Sequence, residues 1–78
     1  GVIALEPGDL LVAFTDGVTE PENAYEQEFG ESRLTELLLR HADRPAEEII
    51  STVMTEVIEW TGDPTLQDDM TMLVARKL

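Results

Sequence analysis

Strand-forming residues lie at both ends of this chain and helix-forming residues lie between them, so the two ends must meet in one sheet. Val2–Leu5 is a short, weakly alternating apolar run, and Leu10-Leu11-Val12-Ala13-Phe14 is a continuous one bounded by turn signals. A continuous run of that length suits a strand buried on both faces. Between them Glu6-Pro7-Gly8-Asp9 reads as a turn, which makes the pair a hairpin. At the other end Met70–Arg76 alternates, with Met70, Met72 and Val74 on one side and Thr71, Leu73 and Ala75 on the other.

The middle is read from its apolar spacing. A helix over about Glu31–His41 puts Leu34, Leu37 and Leu38 on one face, with His41 at its end. Ala42-Asp43-Arg44-Pro45 breaks it. A second helix runs from about Pro45 to Trp60, with Pro45 at its start, Asp43 as candidate cap, and Glu47 and Glu48 favourable to the dipole. Ile49, Val53, Val57 and Trp60 form one row on it, and Ile50, Met54 and Ile58 form the neighbouring row. Gly62 is placed to end it in the left-handed region. Glu20–Gly30 reads as a polar loop pinned by Tyr25 and Phe29, and Asp63–Gln67 as a second loop. The order β-β-loop-α-α-β is a two-layer α+β arrangement. Three strands are few, and the central run asks for cover on a second face that this chain does not supply. The expectation is a single incomplete domain, completed by a missing half or by a homodimer.

Charge narrows the function. The 78 residues carry 17 Asp and Glu against 5 Lys and Arg, a formal net charge of −12. A nucleic-acid binder needs the opposite sign, because phosphate contacts supply much of its affinity. Anionic membrane surfaces are disfavoured for the same reason. There is no Cys, which removes thiolate chemistry and fits a cytoplasmic origin. With a single His, a His-rich zinc site is also out.

The acids at the strand ends are the exceptions to a solvated surface. Asp16-Gly17 stands where the buried run exits, and Gly17 allows a turn or the close approach of a ligand. Asp68-Asp69 stands before the last strand, and two adjacent carboxylates repel unless something positive or a hydrogen-bond donor is near. Glu20 is within reach of the same end. Each piece alone also fits an ordinary turn acid. Together, carboxylates gathered at the ends of adjacent strands are what a hard cation such as Mn²⁺ or Mg²⁺ takes. An EF-hand loop from Asp63 fails, with Asp68 and Val74 where Gly and Glu are needed.

In order and spacing, Leu5-Glu6-Pro7-Gly8-Asp9, Leu11–Glu20 with its Thr15-Asp16-Gly17 core, Phe29-Gly30 with Arg33-Leu34, and Asp68-Asp69-Met70-Thr71-Met72-Leu73-Val74 resemble one family. It is the SpoIIE/RsbU-like branch of the PPM-type metal-dependent serine/threonine protein phosphatases. The resemblance covers essentially the whole chain, yet only the C-terminal half of that catalytic domain, an α-β-β-α sandwich. It implies two Mn²⁺ or Mg²⁺ ions in the full domain, with Asp16 and Asp68 as metal ligands. Gly17, Asp69 and Glu20 are secondary candidates. It implies a metal-activated water, no catalytic side chain on this segment, and a phosphorylated substrate of the anti-anti-sigma (STAS-like) type. A further Asp-Gly of that family, from the upstream half, is not within these residues, so the segment alone is expected to be inactive. The rival reading is a non-catalytic interaction or dimerisation module on the same fold. A haloacid-dehalogenase-like site is disfavoured, because Phe14 stands where its nucleophilic Asp would be.

Overall fold

Strand β2 (Leu10–Phe14) is the centre of a three-stranded antiparallel sheet, flanked by β1 (Val2–Leu5) and β3 (Met72–Arg76). The computed structural model describes residues 1–5 and 10–77; the expected turn Glu6–Asp9 lies outside them. Val2 pairs with Ala13 and Leu5 with Leu10 on one side of β2, and Leu10 pairs with Arg76 and Phe14 with Met72 on the other. The chain's two ends therefore do meet in one sheet.

One face of that sheet is covered. Ile3, Leu5, Leu10, Val12 and Phe14 point into a core shared with Leu34, Leu37 and Leu38 of α2 (Gly30–His41) and Ile49, Val53 and Val57 of α3 (Ala46–Thr61). These are the helix rows expected from spacings of three and four; Ile50, Met54 and Ile58 are half-buried at the margin. Burying each such side chain stabilises the fold by about 1.5–3 kcal/mol relative to leaving it in water. The expectation that this chain leaves the second face of β2 without cover holds among the described residues. Leu11 is 48% exposed, because both long helices pack on the same face and the described residues place nothing over the other.

Several local expectations hold. Gly62 ends α3 with φ at 76°, and its N–H donates to the Ile58 carbonyl at 2.7 Å. The left-handed region asks for a residue without Cβ. Pro45 precedes α3, and its carbonyl accepts from the amides of Glu48 and Ile49 at 3.0 and 3.1 Å. Asp43 does not cap this helix: Pro45 itself holds the capping position, two residues further on, and no side chain caps the first turn.

The Glu20–Gly30 segment departs more. A short helix, α1 (Asp16–Thr19), precedes it. Asn23 then organises the loop, its side-chain oxygen accepting from the amides of Tyr25 and Gln27 at 2.9 and 3.1 Å. Tyr25 pins nothing and is 83% exposed, since this turn projects it outward. Phe29 does the pinning, buried edge-on against Trp60 at 6.1 Å between ring centroids. Trp60 in turn donates its indole N–H to the Gln27 carbonyl at 2.8 Å, and the Arg33 guanidinium lies 4.0 Å over its ring. Where the loop Asp63–Gln67 is expected, Asp63 is irregular and a 3₁₀ helix runs over Pro64–Asp69, and β3 begins at Met72 rather than Met70.

Candidate functional site

The site is built where β2 stops. The Thr15 N–H donates to the Thr71 carbonyl at 3.0 Å, one step beyond the Phe14–Met72 pair of the sheet. The Thr15 carbonyl turns away to accept from the Val18 N–H at 3.0 Å, and α1 begins. Asp16 is thus the first residue of a helical turn, with an exposed side chain and its carbonyl accepting from the Glu20 N–H at 2.8 Å. Glu20 follows the turn and is also exposed. Val18, on the inner side of α1, is fully buried and anchors it.

Asp68 and Asp69 close the 3₁₀ helix, both with exposed side chains, and Met70 next to them is buried in the core. The two turns touch through Gly17. A Cβ on Gly17 would fall 2.0 Å from the Asp69 carbonyl oxygen, far inside any real contact. Glycine is required there by close approach of backbone, while positive φ among the described glycines belongs to Gly30 and Gly62. The structure thus brings Gly17, next to Asp16, against the Asp69 backbone, with Glu20 just past the far end of α1.

Among the described residues no ion pair involves these carboxylates. Among the described residues the ion pairs are Arg40–Glu36 at 3.4 Å and Arg44–Glu48 at 3.8 Å, both on the long helices. Exposed carboxylate oxygens on adjoining turns are hard donors of the kind Mg²⁺ and Mn²⁺ take. Among the described residues no cluster of three or more metal-ligating side chains occurs. A groove of about 390 Å³ between α2 and α3 is lined by Phe29, Arg33, Leu37 and Trp60 among others, and by none of these acids.

Sequence reasoning missed Thr15 and Thr71. The Thr15 hydroxyl bonds the Thr71 backbone both ways, accepting from its N–H at 3.3 Å and donating to its carbonyl at 3.4 Å. A hydroxyl residue between an apolar strand and Asp-Gly was the available signal.

An α+β unit with this antiparallel sheet and helical layer is a piece of the PPM-type phosphatase fold. The chain belongs to the SpoIIE family: all of residues 1–78 match the family described as Stage II sporulation protein E (SpoIIE). It is also similar to Protein IcfG of Synechocystis sp. (strain ATCC 27184 / PCC 6803 / Kazusa), 31% identical over 71 residues. That match takes in 91% of this chain and 11% of IcfG. No solved structure matches the chain significantly. Among the described residues, no helix is long and apolar enough to cross a membrane.

Proposed function

We propose that these residues are the C-terminal half of the catalytic domain of a Mn²⁺- or Mg²⁺-dependent protein serine/threonine phosphatase. The substrate would be a phosphoserine or phosphothreonine on a cytoplasmic signalling protein of the anti-anti-sigma, STAS-like type. The observation that carries the reading is the packing of the Asp16 turn on the Asp68-Asp69 turn through Gly17. It sits in a chain of the SpoIIE family.

In this reading Asp16 and Asp68 hold metal, and Asp69 and Glu20 stand beside them. Bound there, the cations would supply Lewis acidity toward a water and toward the phosphoryl oxygens. The chain's own contribution is rigidity and charge. Val18 and Met70 anchor the two turns in the core, and the unpaired carboxylates favour a cation over any anion. The remaining ligands come from polypeptide outside these residues, so the segment by itself binds metal weakly and does not turn over substrate.

A second reading is supported by the bare sheet face, on which Val2, Leu11 and Leu73 are exposed: a docking or dimerisation module without catalysis. The two separate in one experiment. Mn²⁺ titration by calorimetry compares this chain with the longest natural polypeptide that contains it. Phosphate release from a phosphoprotein is followed in parallel. The phosphatase reading expects metal binding in the long form, lost on Asp16→Asn or Asp68→Asn together with turnover. Metal-independent behaviour of the long form, unchanged by either substitution, refutes it in favour of the docking module.

A further inference from the structure

Thr15 occupies an unusual place in the sheet. Two residues that face each other in a hydrogen-bonded antiparallel pair exchange both N–H···O bonds. Thr15 and Thr71 make the first of these, from the Thr15 N–H to the Thr71 carbonyl at 3.0 Å. The reciprocal bond would run from the Thr71 N–H to the Thr15 carbonyl. That carbonyl is already bound to the Val18 N–H, which starts α1. The Thr15 hydroxyl stands in for it, accepting the Thr71 N–H at 3.3 Å. The side chain therefore lets β2 end and α1 begin within one residue, without releasing β3.

What this fixes is a distance. Asp16 follows Thr15 directly, and Asp69 lies two residues before Thr71. Gly17 rests on the Asp69 carbonyl within the same corner. The clasp thus ties together the two turns that carry the acids, on the side of Asp16 away from Gly17. Water can replace the hydroxyl's bonds, since the site is exposed. Water does not hold two chains at a set spacing, however, and a shared ligand shell depends on that spacing.

We propose that Thr15 is a positioning residue for the acids of the site, its hydroxyl setting the separation of Asp16 from the Asp68-Asp69 pair. This role rests on the reading of Asp16 and Asp68 as metal ligands. A purely structural part for the hydroxyl would change stability and metal affinity in proportion. A positioning part weakens metal binding out of proportion to stability, and serine restores it.

The test uses the longest natural polypeptide containing these residues, with Mn²⁺ alone as the probe. Calorimetry, thermal unfolding and amide exchange at Thr71 are measured for the unaltered protein, Thr15→Val, Thr15→Ser and Asp16→Asn. Thr15→Val keeps the branched shape and removes the hydroxyl. It should lose about tenfold in Mn²⁺ affinity, the low end for residues that orient metal ligands. Its Tm should stay near that of the unaltered protein, and its Thr71 amide should exchange faster. Thr15→Ser should bind and exchange like the unaltered protein. Should Thr15→Val not fold, Thr15→Ala against Thr15→Ser carries the same comparison. Loss of binding in Asp16→Asn alone, with Thr15→Val unaffected, overturns the positioning role and leaves the phosphatase reading standing. Equal loss in Thr15→Val and Thr15→Ser also overturns it. Equal binding by Asp16→Asn and the unaltered protein removes the reading and the role together.

Discussion

Leu10 and Leu11 are the same side chain in adjoining positions of one strand, yet they meet different surroundings. Leu10 is 2% exposed under α2 and α3, and Leu11 is 48% exposed on the opposite face of the sheet. Val2 at 63% and Leu73 at 67% share that open face. Period-two alternation sends neighbours to opposite faces, so an amphipathic strand would place a polar residue at one of them. This strand is apolar on both sides, while the described residues cover only one. Exposed apolar faces of this kind are the sort of surface that domain or protein contacts cover. On the proposed reading it is covered by the rest of the catalytic domain, and the chain spans only 11% of its relative IcfG.

The largest expected effect tests that contrast directly. In the 78-residue chain Leu10→Ala should cost about 2–5 kcal/mol in urea unfolding, as buried leucines do. Leu11→Ala should stay within about 0.5 kcal/mol, as for surface changes. In the longest natural polypeptide the Leu11→Ala cost should rise toward that of Leu10→Ala. A Leu11→Ala that remains neutral there would break the idea that the second face is covered by the same protein.

Gly17→Ala comes next, at the end of the sheet where the covered and open faces close on one corner. The added methyl would sit 2.0 Å from the Asp69 carbonyl, so one of the two turns must move. Forced shifts of this size cost about 1–3 kcal/mol. Chemical unfolding of the variant gives the stability loss, and Mn²⁺ calorimetry on the long polypeptide should show binding weakened with it. An alanine accepted without loss would mean that the two acid-bearing turns are not packed together.

Much of the covered side was legible in the sequence, because periodicity reports on what a side chain packs against. Leu34, Leu37, Leu38, Ile49, Val53 and Val57 recur at helical spacing and are all buried. Met70 and Met72 alternate with Thr71 as a strand should, although β3 proper starts later. The doubly apolar run Leu10–Phe14 is legible as a strand that asks for cover on both faces, and the described residues cover one of them; no periodicity states what supplies the other layer. The corner of the site was least legible. Asp16 and Asp68 stand out as residue types, whereas α1 and the Thr15–Thr71 clasp depend on where one carbonyl turns. The Tyr25 ring has the look of an anchor in the sequence, yet the Asn23 side chain closes that loop through backbone amides and leaves the ring exposed.

At the rim of the covered layer the effects shrink. Trp60 is half-buried and holds the Glu20–Gly30 segment through its indole N–H on the Gln27 carbonyl at 2.8 Å. Trp60→Phe keeps an aromatic ring against Phe29 and removes that donor. The expected cost in thermal or urea unfolding is about 0.5–1.5 kcal/mol, the worth of one hydrogen bond. A cost as large as that of Leu10→Ala would mean that the rim, rather than the sheet face, carries the fold.

The smallest effect lies at the start of the 3₁₀ helix, on a fully exposed carboxylate. Asp63 accepts from the Thr65 hydroxyl at 2.6 Å and from the Thr65 amide at 3.0 Å. The hydroxyl bond first, and the amide bond second, hold its pKa below the ordinary value of 3.8. A carboxylate whose folded pKa is depressed adds stability that is complete above its unfolded pKa. That stability is lost as pH falls through the folded value. Thr65→Val removes the larger cause and leaves the amide. Carboxyl-carbon NMR titration should therefore show the Asp63 midpoint below 3.8 in the unaltered chain and moved upward in Thr65→Val. The stability difference between the two should be present at neutral pH and fade in the acid range below that value. An unmoved midpoint would mean that the cap does not form. Asp63 lies within the same loop-and-helix segment that ends in Asp68-Asp69, so that result would also loosen the path by which the covered layer delivers those acids to the corner beside Asp16.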